Sequence, residues 1–519
     1  MVHIALANFL PLAFLLPFTL AASPTPPCRF ASQWTPERIL ASPQSFEDDL
    51  LYWEGKFHQH NVSYNTVNGM TFDGTLLDMT TGLYRVEGLH TFSAASKESL
   101  HFMILAHVIE GKPGAVRWIL SGLGDDDAGD TEKARTVALA ILQKKWESYN
   151  QFNKTFPGFG GFLPWFAHSE FTPLIPTWDW NNRVPALDNG ENIWGIYATI
   201  EALQNVGKKE YTDLAAKWEG YLDYLKITAA KGHPVGDMKI FYHGSGRICA
   251  VTAIGNQSLP IDHPDQSYIC EGLDSGGNPF MFFLYLFGNL NQTAKNALLE
   301  FKRPQLVSID WSVPGYENVT VQKGFWFSAH ENWGWMQLPY IDVPLMNDVN
   351  AFKDLYINME HARTCDSQAK GLPGMFASIN NSTDQNGEII GLITPYSTMN
   401  TMVVNKIVGY LWWHNMARAK RMQNLYGSSE STRIDGTATS AFVSGDSKIT
   451  TVNGILGGVI LLVRTRMQRE GVYDEFTRVV SNEYKRVFDR PLNGQTQDFC
   501  LPEAEVTDTG LVDFTICTL

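Results

Sequence analysis

Tyr268-Ile269-Cys270-Glu271-Gly272-Leu273-Asp274-Ser275-Gly276-Gly277-Asn278-Pro279 runs directly into Phe280-Met281-Phe282-Phe283-Leu284-Tyr285-Leu286-Phe287. A Gly-rich acidic turn is thus joined to a helical segment that is apolar on every side. A helix on the outside of a globule needs a polar face, so this one predicts an inner layer of helices. Ile455 to Val463 is apolar in the same way and predicts a second inner member. Around them helical periodicity dominates. Ala134, Val137, Ala138, Ile141, Leu142, Trp146 and Tyr149 make one face, and Ile193, Ile196, Tyr197, Ile200 and Leu203 make another. Further helices are expected over 46–58, 100–110, 210–230, 280–290, 349–363, 399–425, 448–469 and 473–488, giving roughly ten to twelve in all. Strand signals are short, at 239–242, 247–251 and 319–327, and read as decorations on loops.

No Ser/Thr/Pro-rich linker or low-complexity tract divides the 519 residues, and no self-similarity at the periods of helical solenoids is evident. The expected architecture is therefore all-α: one (α/α)6 barrel, or toroid, of inner and amphipathic outer helices with long loops and minor β decorations. Functional loops should collect at its open end. The domain boundaries follow as 1–22 for a signal peptide and 23–519 for the barrel. Phe9 to Leu20 is almost wholly apolar, and Ala21-Ala22 precede the Pro-rich start Ser23-Pro24-Thr25-Pro26-Pro27.

A secreted chain is the consequence, and the cysteines agree. Cys28, Cys249, Cys270, Cys365, Cys500 and Cys517 form an even set too scattered for a metal cluster, so three disulfides are expected. Proximity in sequence suggests Cys249 with Cys270 and Cys500 with Cys517, leaving Cys28 with Cys365. Sequons at Asn61, Asn153, Asn256, Asn291, Asn318, Asn380 and Asn381 suggest a glycosylated surface. The net charge of -14 disfavours nucleic acid and anionic membranes, both of which need clustered cations. No second apolar stretch is long enough to span a bilayer. A neutral polymer is the better partner, and a monomer is expected.

The chemistry lies in loop carboxylates beside flat rings. Trp178-Asp179-Trp180 with Asp188-Asn189-Gly190-Glu191, and His330-Glu331-Asn332-Trp333-Gly334-Trp335, combine aromatic faces with hydrogen-bonding acids, a mixture that binds sugars. Trp178, Asp179, Asp188, Glu191, His330, Glu331 and Trp333 are the candidate substrate-binding residues, although tryptophans are more often core. Cleaving a glycosidic bond takes one protonated carboxyl and one ionised carboxylate. Glu271 fits the acid: glycines beside it allow a ligand close, and Tyr268, Leu273 and Phe280 would desolvate it; its plain reading is a helix cap or a surface ion pair. Asp274 is the better helix cap. Asp446, in Ser444-Gly445-Asp446-Ser447-Lys448, opens a long helix whose N-terminus favours an anion, as a base requires. Its plain reading is an N-cap, and Asp435 in Arg433-Ile434-Asp435-Gly436 competes with it for the base role. No HExxH or spaced His/Cys set accompanies His330, and no G-x-S-x-G elbow appears, so neither a metal, nor another cofactor, nor a serine nucleophile is expected.

Tyr268 to Pro279, the helix entry Leu187-Asp188-Asn189-Gly190-Glu191-Asn192 and the segment Ser444 to Gly458 resemble the fungal endo-β-1,2-glucanases of glycoside hydrolase family 162. The resemblance spans most of the chain after residue 22. It implies an (α/α)6 barrel and inverting hydrolysis of β-1,2-glucan to sophorooligosaccharides without a metal, with Glu271 as general acid and Asp446 as general base. The rivals are another (α/α)6 β-glucan hydrolase, a polysaccharide lyase, and a carbohydrate-binding protein without a working acid pair. A lyase acting on uronic acids needs cations and a Tyr or His base, which the acidic balance disfavours.

Overall fold

The computed structural model describes residues 28–124, 129–230, 240–243, 246–273, 278–313, 315–324, 330–345, 350–376, 391–494 and 498–517. The signal segment 1–22 and the sequons Asn380 and Asn381 lie outside the described residues. Among the described residues, sixteen α-helices, several 3-10 turns and short strands make up the regular structure.

The inner helices are recognisable by burial all round. Ala95–Glu110 buries every residue but its last, and Ala186–Val206 buries nearly all of its first eighteen. These two pack against each other. Ala186–Val206 also packs on Asn278–Phe287, the helix expected from the apolar run, at an approach set by glycine: a Cβ on Gly190 would lie 2.6 Å from the Phe280 backbone nitrogen. Gly445–Leu456 packs on both Ala95–Glu110 and Met399–Val404. Thr131–Thr155, Lys209–Ala230 and Tyr473–Lys485 each bury one stripe, as amphipathic outer helices do. Most of the buried apolar side chains form one cluster from Cys28 to Cys517, and Met375, Val408 and Trp412 form a small second one. Among the described residues no single helix is long and apolar enough to cross a membrane.

Much of the charge buried in this core is paired, as desolvation demands. Lys145 and Glu98, both fully buried, pair with each other, and Thr71 donates to the same carboxylate. Lys448 pairs with Glu54 at 2.6 Å, and Arg466 bridges Glu219 and Glu470.

Several expectations need correction. The 399–425 segment is two helices, Met399–Val404 and Lys406–Ala417, because Asn405 turns extended (φ -150°) and its side chain caps the second through the Val408 N–H. A hairpin, Gln423–Asn424 with Gly427–Ser428, takes up the rest. The 448–469 helix is likewise broken, into Gly445–Leu456 and Ile460–Arg469, with a bend of 68°. Gly457 and Gly458 have φ of 80° and 64°, and a Cβ on Gly458 would sit 2.2 Å from the Met336 carbonyl, so hydrophobicity continues where the backbone cannot. The acidic segment Tyr268–Leu273 is a strand on Arg247–Ile254, where Val251 faces Glu271. His330–Gln337 is a helix rather than an aromatic loop. Pro36–Ala41, Pro113–Gly122 and Gln292–Lys302 are helices that periodicity did not single out.

Of the disulfides, Cys249–Cys270 forms as expected, whereas the others are Cys28–Cys517 and Cys365–Cys500. Proximity in sequence misled because the C-terminal stretch is extended and crosses other elements. Trp412 donates to the Cys500 carbonyl, Asn415 to Ala504, and the Arg421 N–H to Asp513. Cys500 and Cys517 thus end up over different parts of the molecule.

Candidate active site

A three-stranded sheet and three helix starts converge on Asp446. Phe442–Ser444 pairs with Gly74–Leu77, which pairs with Tyr84–His90, and this register aligns Ser444, Gly74 and His90 across the sheet. Residues just beyond that row therefore meet: the Gly445 N–H donates to the Asp73 carbonyl, and the Asp73 carboxylate takes His90 Nδ1 at 2.9 Å. Asp446 lies in the first turn of Gly445–Leu456, where Ser444 caps the helix by accepting the Ser447 N–H. Lys97, in the first turn of Ala95–Glu110, reaches between the two aspartates, 3.2 Å from Asp446 and 3.4 Å from Asp73.

Electrostatics makes this one unit. Burial alone would lower the Lys97 pKa, but Asp446, Asp73 and Asp188 outweigh it and raise it. Burial opposes ionisation of Asp73, yet hydrogen bonding and charge from His90 and Lys97 hold its pKa below the usual carboxylate value. Glu430 behaves in the opposite way. Burial pushes it up to about 7, aided by the charges of Asp446 and Asp73 and only partly countered by hydrogen bonds from Ser444 and Ser447. The Asp435 alternative sits in an exposed turn, where Thr437 and Arg433 bring its pKa down to about 2.

A second branch runs from Lys97 towards Glu271. The Lys97 ammonium lies 4.9 Å from the Trp165 ring centroid, and the Trp165 indole donates to Asp188 at 3.1 Å. Trp165 stacks on Phe92 and on Trp180, with interplanar angles of 20° and 12°. Trp180 leads through the strand Arg183–Pro185 into the helix that carries Asp188. Arg183 Nε binds Glu271 Oε2 at 2.6 Å, and Arg183 Nη2 binds Oε1 at 3.3 Å. Glu271 is exposed: its carboxyl meets a guanidinium and solvent rather than the apolar wall expected of Tyr268, Leu273 and Phe280. The alternation of a strand explains this, since Tyr268 is half-buried and donates its hydroxyl to the Gly158 carbonyl, while Phe280 faces the core.

The remaining candidates divide by depth. Trp178 is 89% exposed and Asp179, bonded to Thr177, is exposed beside it. Asp188 is buried beneath the Trp165 indole that donates to it. Glu191 lies deeper at 1% exposure, its backbone carbonyl accepting from Ser99 and Gln337. Trp333, also at 1%, is a core side chain and offers no open face. His330 and Glu331 start a helix, and their side chains fall outside what the structure describes. Asp73, His90, Lys97, Trp165, Arg183 and Glu430 were not found from sequence. One signal was available: Ser96-Lys97-Glu98 opens an otherwise apolar helix, and a charge at the start of an inner helix must meet a partner.

The family model described as endo-β-1,2-glucanase SGL, of glycoside hydrolase family 162, matches residues 70–393 and 388–518. The chain belongs to this family. An endo-β-1,2-glucanase from Talaromyces funiculosus, solved with sophorose, is 47% identical over 95% of this chain and 100% of its own, with a TM-score of 0.86. A Glu-to-Gln variant of the Talaromyces enzyme, solved with β-1,2-glucan, matches equally well. A putative glucoamylase from Bacteroides caccae shares the fold at 10% identity, with a TM-score of 0.56 over 85% of this chain and 98% of its own. Among curated proteins, none is detectably similar. The family membership places the helix-rich fold among glycoside hydrolases and makes this chain a glycosidase.

Proposed function

We propose that the chain is a secreted enzyme that hydrolyses β-1,2-glucan internally to sophorooligosaccharides, with residues 23–519 forming one (α/α)6 barrel. The observation that carries this reading is the 47% identity, over the whole partner chain, to an enzyme solved with sophorose and, as a variant, with β-1,2-glucan. Inner helices buried all round beside outer helices buried on one stripe support the barrel. Three disulfides, and exposed sequons at Asn256, Asn291 and Asn318, support secretion.

In the proposed mechanism Asp446 is the general base. Lys97 favours its ionised form, and the helix start adds to that. Asp446 takes a proton from water, directly or through a sugar hydroxyl, while the water oxygen bonds to the anomeric carbon. Glu271 gives a proton to the departing glycosidic oxygen, and the configuration inverts. Glu271 is paired with Arg183 in the unliganded site, so the leaving glycosidic oxygen competes with that guanidinium for the carboxyl. Trp178, Asp179, Asp188, Glu191, His330, Glu331 and Trp333 form the proposed glucan-binding set, with Trp178 as an exposed platform and Trp333 acting only as support from the core.

The test is digestion of β-1,2-, β-1,3-, β-1,4- and β-1,6-glucans, read by reducing ends and thin-layer chromatography. Short sophorooligosaccharides from the β-1,2-glucan alone are expected. Glucose as sole product, an unsaturated chromophore, or binding without release of sugar would each overturn the reading.

A further inference from the structure

Behind Asp446 lies a second carboxyl that this mechanism does not use. Glu430 Oε2 accepts a hydrogen bond from Ser444 Oγ at 2.5 Å and another from Ser447 Oγ. Those serines flank Asp446 in sequence, and Ser444 is also the cap of its helix. Glu430 is held from its other side by the sheet, its N–H donating to the Phe442 carbonyl. The first turn bearing the proposed base is therefore clamped between a carboxyl and a strand.

We propose that Glu430 is a positioning residue for Asp446: by accepting the Ser444 and Ser447 hydroxyls it fixes the turn that carries Asp446. The proposal rests on the assignment of Asp446 as base. Two neighbouring carboxylates in a poorly solvated site cannot both ionise without repulsion, so one is held neutral. The partners decide which. Asp446 has Lys97 at 3.2 Å; the Ser444 and Ser447 hydroxyls donate to Glu430 and by themselves favour its ionised form, but burial and the charges of Asp446 and Asp73 outweigh them. The charged and titratable groups that bear on Glu430 are Asp446, Asp73, Tyr396 and Lys448. Lys448 is the one cation among them, and it is already committed to Glu54. A carboxyl whose pKa is raised is neutral below that value and charged above it. At about 7, Glu430 is neutral through the acidic range where a carboxylate base works.

The experiment joins infrared titration to kinetics. In the wild-type protein a carboxylic-acid C=O band should persist on raising the pH to near 7, and E430Q should remove it. In D446N, where the neighbouring charge is gone, the midpoint of that band should fall. E430A should lower kcat by about 10- to 100-fold with KM within about twofold, as expected for a small displacement of a catalytic group. E430Q, which keeps an oxygen to accept both serine hydroxyls, should recover most of that loss. Absence of the band, a midpoint unmoved by D446N, or an E430A enzyme that turns over normally would each overturn the proposal. So would full turnover by D446N, but that result would also remove the base assignment itself. The infrared midpoint separates these outcomes, because it reads the coupling of the two carboxyls without reference to catalysis. Should E430A fail to fold, E430Q and D446N still decide the question.

Discussion

Replacing Lys97 with Met tests whether the site is an electrostatic unit. Methionine approximates the lysine stem and removes only the ammonium, which lies 3.2 Å from Asp446 and 3.4 Å from Asp73. At an effective dielectric of about 20, one such contact is worth about 5 kcal/mol, which is a ceiling because water reaches the cleft. Removing a cation within such reach of a carboxylate moves its protonation by about one to three pH units, or about 1.4 to 4 kcal/mol. The sign is fixed: the cation favours the anion, so its loss favours the protonated form. The acidic limb of the kcat/KM profile should therefore move upward by that amount. At a pH below the wild-type limb, K97M should be about 10- to 1000-fold slower, and the deficit should shrink as pH rises. Reducing-end release from β-1,2-glucan between pH 3 and 8 is the assay. The variant also leaves two largely buried carboxylates with fewer partners, so a stability loss of about 3 to 5 kcal/mol should appear in thermal melts run alongside. An acidic limb that stays in place, or a deficit equal at every pH in a folded variant, would refute the claim that Lys97 sets the state of Asp446.

Glu271→Gln should cost at least about 10²- to 10⁴-fold in kcat while glucan still binds, as measured by initial rates and by affinity electrophoresis. Proton NMR of the first-formed product should show the α-anomer, since water enters opposite the leaving group; an initial β-anomer would remove Asp446 as a base acting on water. Replacing Cys28 and Cys517 with Ala should lower stability by about 2 to 5 kcal/mol in denaturant titrations, because that bridge closes a loop with a sequence separation of 489.

What the sequence disclosed was local. Phe280 to Phe287 declared an inner helix because a side chain's neighbours along a helix are fixed by a period of 3.6. The same logic carried 455–463 into a continuous helix, and failed there. Nothing in the hydrophobic pattern registers that the Met336 carbonyl comes so close to Gly458 that only glycine fits. Cys249 and Cys270 were paired correctly across a separation of 21, whereas Cys28 and Cys517 meet because an extended C-terminal tail returns to the N-terminus. Extended tails carry no periodicity from which their path can be read.

The same division runs through the site. Asp446 could be singled out because its signal is contiguous: a capping serine, a glycine and an acid before an apolar helix. What would make that acid a base is not contiguous. Lys97 arrives on another helix, Asp73 and His90 through a sheet register, Glu430 from a loop, and Asp188 through the Trp165 ring that lies against Lys97. Glu271 shows the converse. Its glycines and aromatic neighbours implied a desolvated acid, but the strand directs its side chain to Arg183 and solvent. A sequence motif thus locates a carboxyl, while its protonation depends on groups that only the fold assembles. Of the two acids, Asp446 lies beside a buried cation, as the proposed base role requires, whereas Glu271 is paired with exposed Arg183.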